Sequence, residues 1–199
     1  VMSWLYLTLA ANPAAQSALA RELRAVLDGE DLVSSAQLDA LPYLRACVRE
    51  SHRLTPGGPL LVKKLPEDVR VAVEGREYLL EADRRISLNL RGVPMDPRYV
   101  ERPREYRPER FLPEAIAARR GTPAEIVDHP LFEDPFGGGK RKCVGGNVAY
   151  AEIYCSAARL FQDWEISLKS DDVRWKPKQK LMQKADPYPE MVLSPRKSS

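Results

Sequence analysis

The sequence FGGGKRKCVG, residues 136–145, is the stretch that decides how the rest of this 199-residue chain is interpreted. Three consecutive glycines precede a basic run and the lone cysteine Cys143. Because glycine has no Cβ, such a loop can pass close to a flat or bulky group. A helical pattern follows Cys143, and the positive end of a helix favours a thiolate. We therefore expect Cys143 to be a metal ligand beside an anionic group rather than an inert buried cysteine.

The composition argues against several classes of protein. The 31 Lys and Arg against 28 Asp and Glu leave a net charge of only +3, so no nucleic-acid partner is expected. The three cysteines, Cys47, Cys143 and Cys155, form no CxxC pair, which argues against a disulfide framework and a structural zinc site. A reducing compartment is the simpler interpretation. At 44% hydrophobic residues, the chain can bury a sizeable core.

The chain opens with an apolar run, VMSWLYLTLA, that has no capping residue. Ten residues are too few to span a bilayer, and neither a charged region nor a cleavage site marks a signal peptide. We interpret this run as the inside of a buried helix in a longer protein.

Two amphipathic helices are predicted next. The first begins with Asn12 as N-cap and Pro13 at its first helical position, and then carries leucines at four-residue spacing. Its polar face, which we expect to be solvated, holds Arg21, Glu22 and Arg24. The second helix follows Pro42, and its inward stripe is Leu44, Cys47, Val48 and Ser51.

Strands are predicted after the second helix. Valines alternate over residues 69–73, the dipeptide Glu74-Gly75 makes a tight turn, and a return at residues 78–80 indicates a hairpin. A further alternation at residues 86–90 indicates another strand.

The second half of the chain is less regular. Five prolines in residues 94–113 break every period, and a loop of this length is usually functional or pinned by specific contacts. A short helix is predicted at residues 114–120, a polar loop at 121–135 and a largely buried helix after Gly146. The predicted fold is mainly α with small β-sheets (α+β).

Four separated segments resemble the cytochrome P-450 family. Residues 136–145 resemble its haem-binding loop FxxGxRxCxG, and ESHR at residues 50–53 is similar to its ExxR motif on helix K. PERF at residues 108–111 resembles the motif of the same name, and residues 2–16 resemble the end of helix I running into helix J. Since all four occur in the family's order, residues 1–199 are identified as a single incomplete domain, the C-terminal portion of the cytochrome P-450 fold.

The resemblance gives each loop residue a role. Cys143 would be the axial thiolate ligand of the haem iron, and Arg141 would pair with a haem propionate. Phe136 would shield the sulfur, while Gly139 and Gly145 would permit close approach to the porphyrin.

The resemblance also assigns residues outside the loop. Lys63 would be a second propionate contact, although lysine cannot bind in the bidentate fashion of the arginine that many members have there. Glu50, Arg53 and Arg110 would form a buried salt-bridged triad with a structural role. No catalytic residue is expected within the chain, because the family's acid–alcohol pair on helix I would lie upstream of Val1.

The activity implied by the resemblance is that of a haem-thiolate monooxygenase. It would insert one atom of O2 into a lipophilic substrate, with electrons from a ferredoxin or an NADPH-dependent flavoprotein reductase. Isomerase or dehydratase chemistry on the same fold, or an inactive truncated product, are the alternatives. Residues 59–62, Leu181 and Met182 are candidate substrate contacts. We expect an intracellular protein, and attachment to a mitochondrial or endoplasmic-reticulum membrane through the missing N-terminal half is left open.

Two arginines of the second predicted helix allow two interpretations. Arg45 and Arg49, at i and i+4, form either a solvated face or a docking patch for an acidic electron donor, since basic residues here resemble those of mitochondrial members. Cys47 and Cys155 are expected on the inward faces of their helices as ordinary packing residues. Ordinary surface or packing roles are expected for His52 and His129.

Overall fold

A computed structural model describes residues 2–169, 176–179, 183–186 and 189–196. The helices are α1 (Met2–Ala10), α2 (Pro13–Leu27), α3 (Ser35–Asp39), α4 (Pro42–Leu54), α5 (Pro113–Arg119), α6 (Pro130–Glu133) and α7 (Gly146–Asp163). The strands are β1 (Leu60–Lys64), β2 (Val69–Val73), β3 (Arg76–Leu80), β4 (Arg85–Asn89), β5 (Trp164–Leu168), β6 (Lys176–Gln179), β7 (Gln183–Asp186) and β8 (Met191–Pro195).

The strands pair into small antiparallel sheets of two strands each: β1 with β4, β2 with β3, β5 with β8, and β6 with β7. The predicted hairpin is confirmed as β2 and β3. At its turn both Glu74 (φ 50°) and Gly75 (φ 75°) are left-handed, as a two-residue turn matching the strand twist requires. The predicted α+β class is therefore confirmed.

The main core lies where α1, α2, α4 and α7 pack together. The predicted inward stripe of α4 is confirmed, because all four of its residues are buried. The leucines that repeat along α2 are buried as well. The largest fully buried apolar side chains of this core are Leu5, Leu9, Leu19, Leu23, Leu41, Leu44 and Phe161.

The predicted start of α2 is confirmed, since Asn12 is its N-cap residue and Pro13 its first residue. The Asn12 side chain makes no capping bond, because its Nδ2 donates instead to the carbonyl oxygen of Thr8 at 2.7 Å. Other local features differ from the sequence prediction. Helix α3 was not predicted, although Ser34 and Gln37 form a capping box at its start. The loop predicted at residues 121–135 contains a 3-10 turn and α6.

Helix α7 is less buried than its sequence predicted. It buries Ile153, Ala157 and Phe161 on one face, but Val148 is 63% exposed. Cys155, which we expected on the inward face, is exposed. The apolar residues of α7 spread around more of its circumference than one packing face covers, and spacing alone did not show this.

The prediction that Glu22 on α2 is solvated was wrong. Its two carboxylate oxygens accept hydrogen bonds from the backbone N–H groups of Tyr43 (2.7 Å) and Leu44 (2.9 Å). These are among the first amides of α4, which have no partner within their own helix. Partial burial raises the pKa of Glu22, and the two amide bonds oppose that rise. Glu22 thus caps α4 from a neighbouring helix and fixes where α4 begins.

We expect Glu22→Ala to lower the free energy of unfolding by about 1–2 kcal/mol, because it leaves two amides of α4 without their acceptor. Urea denaturation followed by circular dichroism measures the change. Glu30→Ala is the matched control, since the Glu30 side chain is exposed, and it should change stability by less than about 0.5 kcal/mol. Equal effects of the two substitutions would contradict the capping role.

Candidate functional site

Cys143 lies in the loop between α6 and α7, two residues before Gly145, which is the N-cap of α7. The residue is exposed. Its backbone N–H donates to the carbonyl oxygen of Phe136 at 3.0 Å, and the N–H of Gly146 donates to the carbonyl oxygen of Cys143 at 3.2 Å. The first bond closes the loop on itself, and the second attaches the cysteine to the start of α7.

The glycines give the loop an open backbone surface. Gly137 (φ 78°) and Gly139 (φ 67°) are left-handed, a conformation that side chains rarely adopt. At Gly137, Gly138 and Gly139 the position of an added Cβ has no neighbouring atom within 4 Å. At Gly145 an added Cβ would lie 4.0 Å from the Cys143 sulfur. A flat group can therefore approach this backbone without displacing other parts of the protein.

Phe136 holds the base of the loop against α7. Its ring meets that of Tyr150 edge-on at 5.0 Å between centroids. A Cβ added at Gly146 would lie 3.3 Å from two atoms of the Phe136 side chain, which is tighter than ordinary contact. Glycine at position 146 therefore lets α7 begin directly against the ring, a role that sequence reasoning missed.

Asp134 is a second residue that sequence reasoning missed. Its Oδ1 accepts a hydrogen bond from the backbone N–H of Phe136 at 2.9 Å, and its Oδ2 lies 2.7 Å from the Nζ of Lys142. One carboxylate thus joins the first residue of the loop to a residue next to Cys143. The signal was present, since an Asp two residues before a turn commonly accepts that N–H.

The buried carboxylate of Glu50 brings the two arginines of the predicted triad together. Arg53 binds it with two parallel bonds, Nε to Oε2 at 2.7 Å and Nη2 to Oε1 at 2.8 Å. The Nε of Arg110 donates to Oε1 at 3.0 Å, and the backbone N–H of Arg107 donates to the same oxygen at 2.9 Å. Glu50 is fully buried, so these four bonds replace its hydration shell.

The same arginines also hold residues 94–113, the proline-rich segment, which includes Arg110 itself. The Nη1 of Arg53 donates to the carbonyl oxygens of Pro94 and Pro103, both at 2.8 Å. The Nη1 of Arg110 donates to the carbonyl oxygen of Glu101 at 2.9 Å. Burial lowers the pKa of Arg110, and the charge of Glu50 opposes this effect. Helix α4 is thereby fastened to a segment whose own backbone hydrogen bonds are those of local turns.

Both interpretations of Arg49 were wrong. Its side chain is only 16% exposed, and its Nη2 lies 2.7 Å from Asp128 and 3.3 Å from Glu133. Its guanidinium stacks 4.4 Å above the ring of Phe111. Arg49 therefore anchors α4 to the segment that precedes the cysteine loop and is not presented to a partner. Arg45 does remain largely exposed.

The other predicted site residues are less closely tied to the loop. Lys63 lies half-buried on β1, opposite Ile86 of β4, while the adjacent Lys64 is the one that pairs with Asp83 at 2.7 Å. Arg141 is part of a 3-10 turn, Gly139–Arg141, but its side chain lies outside the described part of the structure.

The candidate substrate contacts fall into two groups. Within residues 59–62, Leu60 and Val62 are exposed on β1. Leu181 and Met182 lie outside the described residues.

Among the described residues, no group of three or more His, Cys, Asp and Glu side chains could hold a metal ion. None of the helices in the described part of the chain has the length and apolar character needed to cross a membrane.

His52, between Glu50 and Arg53 on α4, is a buried packing residue with 5% of its surface exposed. Its ring meets that of Tyr150 edge-on at 6.3 Å. Burial lowers the pKa of His52 to about 4, and the charge of Asp134 opposes this shift. The imidazole is therefore neutral at pH 7.

A family model and several known proteins match most of this chain. The family model for cytochrome P-450 matches residues 1–190. Ferruginol synthase from Salvia fruticosa is 34% identical over 83% of this chain and 32% of its own length. Tabersonine 16-hydroxylase 2 from Catharanthus roseus is 32% identical over 86% and 31%. The 3,9-dihydroxypterocarpan 6A-monooxygenase from Glycine max is 30% identical over 84% and 31%. The chain thus spans about a third of the length of these relatives.

We expect Glu50→Gln to lower the free energy of unfolding by about 3–5 kcal/mol, because it leaves the buried Arg53 charge without its carboxylate. Urea denaturation measures the loss. Arg104→Ala, which removes an exposed arginine from the same proline-rich segment, should change stability by less than about 0.5 kcal/mol. A small effect of Glu50→Gln would show that the triad does not hold the segment.

A neutral buried His52 makes stability depend on pH. Unfolded histidine has a pKa near 6.5, so on acidification the unfolded chain takes up this proton first. The contribution of neutral His52 to the free energy of unfolding is therefore complete above about pH 6.5. It is lost as the pH falls toward 4, and a pKa shift of this size corresponds to about 3 kcal/mol. Urea denaturation across this range should show a shallower loss in His52→Gln. The control His129→Gln, at an exposed histidine, should keep the parent profile; parallel profiles for all three proteins would contradict the prediction.

Proposed function

This chain belongs to the cytochrome P-450 family, and we propose that it forms the cysteine side of the haem site in a haem-thiolate monooxygenase. The observation that carries the proposal is an exposed Cys143 on an open glycine loop that leads directly into α7. We also propose that residues 1–199 are one part of a single domain. Because the chain spans about a third of its relatives' length, the activity, substrate and partners of the whole protein are included in the proposal.

The residues present suit a haem group. Beside the sulfur, Val144 is 102% exposed and Val148 is exposed about one turn later, so an apolar surface adjoins the ligand atom. Free space around Gly137 and Gly139 allows a flat ring to approach the loop. When bound, an iron held by a thiolate supplies oxygen activation, because the thiolate donates electron density toward the metal.

The predicted site residues would have separate roles in holding the haem and the fold around it. Cys143 would be the thiolate ligand of the iron, held in place by its backbone bond to Phe136. Arg141 would pair with a propionate as a bidentate donor, and Lys63 with another as a single point charge. The Glu50 cluster, with Arg53 and Arg110, would keep the proline-rich segment in place and take no part in proton transfer.

We further propose that the substrate is a small lipophilic molecule, that O2 is the oxidant, and that a ferredoxin or an NADPH-dependent flavoprotein reductase supplies electrons. Relatives that are named a hydroxylase and a monooxygenase support oxygen insertion over isomerase or dehydratase chemistry. The three cysteines are free, which supports a reducing, intracellular site of action.

We expect the chain, loaded with haem, reduced and exposed to carbon monoxide, to give the red-shifted absorption band of a thiolate-ligated complex. Cys143→Ser should abolish this band, because a serine hydroxyl does not replace a thiolate on iron. Cys155→Ser is the matched control, since it removes another exposed thiol, and it should leave the band unchanged. A band that survives in Cys143→Ser would contradict the proposal. A parent chain that gives no band would instead favour the inactive truncated product.

A second measurement separates monooxygenation from the alternatives. With a lipophilic substrate, monooxygenation consumes O2 and reductant and places labelled oxygen in the product. Isomerisation or dehydration proceeds without an external reductant. Turnover that is unaffected when the reductant is omitted would therefore favour those reactions.

A further inference from the structure

A cavity of about 180 Å³ lies between α4, α5 and α7. Val48 of α4, Ile116 of α5 and the rings of Phe111, Tyr150 and Tyr154 form its apolar part. The polar part is lined by Arg45, Arg49, His52 and Glu133. The proposed haem site uses none of these residues as a ligand or a propionate contact. An engineered apolar cavity of about 150 Å³ is large enough to bind benzene, so this cavity can accept a single aromatic ring.

Two residues that line this cavity each have a buried polar atom without a partner. These atoms are the Nε of Arg49 and the Nε2 of His52, and within the described residues they are the buried side-chain nitrogens and oxygens found unpaired. Positions i and i+3 share one face of a helix, so both belong to the same side of α4. A buried polar group without a partner destabilises the folded state, and a ligand that bonds to it removes this penalty.

The arginines that line the cavity already have carboxylate partners, which favours a neutral ligand. Arg45 lies 3.4 Å from Asp39. The Arg49 guanidinium is already matched by Asp128 at 2.7 Å and Glu133 at 3.3 Å. Glu133 is itself part of the wall, so an anion would meet a carboxylate there. His52 is neutral at pH 7 because burial lowers its pKa to about 4, so it adds no positive charge to attract an anion.

A hydroxyl group is the neutral group that suits both unpaired atoms. Its oxygen accepts a hydrogen bond from the Arg49 Nε–H. It can donate to the His52 Nε2 or accept from it, so it suits either tautomer of the imidazole. We propose that this cavity is a binding site for a small neutral aromatic alcohol of the phenol class, with the ring against the aromatic wall and the hydroxyl on Arg49 and His52.

Phenol itself is the probe, and toluene is the matched control because it has nearly the same size and no hydroxyl. The 199-residue chain contains two histidines, so ring-labelled histidine gives two sets of nuclear magnetic resonance signals, which His129→Gln assigns. Phenol should shift the His52 ring signals saturably and leave those of His129 in place. We expect toluene to bind at least about tenfold more weakly, since losing hydrogen bonds worth about 1.4 kcal/mol lowers affinity tenfold.

A pair of substitutions tests the location of the site. Ile116→Trp places a large side chain in the cavity wall and should abolish the phenol-dependent shift of His52. Ile126→Trp enlarges an exposed isoleucine outside that wall and should leave the shift unchanged.

Three results would overturn the proposal. Equal binding of phenol and toluene would mean that the cavity is only an apolar space. A His52 signal that is resolved but unmoved by phenol would mean that water alone serves Arg49 and His52. A His52 signal at the position of a free, solvated imidazole would mean that the cavity does not form. None of these results depends on haem, so the proposed function can fail while this inference stands, or the reverse.

Discussion

The buried carboxylate of Glu50 is the interaction on which the second half of the structure depends. A carboxylate with no exposed surface must be matched by charge and hydrogen bonds, and Glu50 obtains both from Arg53, Arg110 and a backbone amide. Each arginine then has further N–H groups to satisfy, and these reach backbone carbonyls of the proline-rich segment. Prolines provide no N–H groups, so this segment cannot hold itself by a regular ladder. The burial of one negative charge on α4 therefore adds long-range contacts that the segment's own local turns do not supply.

A second series of contacts joins α4 to the cysteine loop. The ring of His52 meets Tyr150 edge-on at 6.3 Å, and Tyr150 meets Phe136 edge-on at 5.0 Å. Phe136 then accepts the backbone bond from Cys143. Aromatic rings in this arrangement contribute by area and by the attraction of ring edge to ring face. The exposed sulfur is thus supported, through a few side chains, by the same helix that holds the proline-rich segment.

Local signals in the sequence were sufficient for much of the fold and for part of the site. The hairpin and the inward stripe of α4 follow from short-range patterns, and the resemblance predicted roles for Cys143 and Glu50. Charged residues on amphipathic helices were the main failure. Glu22 and Arg49 lie on helix faces turned away from the main core, and helical spacing predicts that such charged residues are solvated. Each instead meets a second neighbour whose position depends on the tertiary fold, which helical periodicity does not encode. Asp134 was missed although its local turn chemistry could have indicated it.

The contacts that Arg53 and Arg110 make with the proline-rich segment have a consequence for how this region can diverge. They go to carbonyl oxygens of Pro94, Pro103 and Glu101, a group that every amino acid carries. Replacing a side chain in that segment leaves the acceptor in place, so many substitutions there are tolerated as long as the backbone path is kept. The contacts depend instead on the side chains that donate these hydrogen bonds, Arg53 and Arg110. Exposed positions of this segment can therefore change during evolution while its backbone path stays the same, whereas Pro94, Val100 and Phe111 are constrained by their burial.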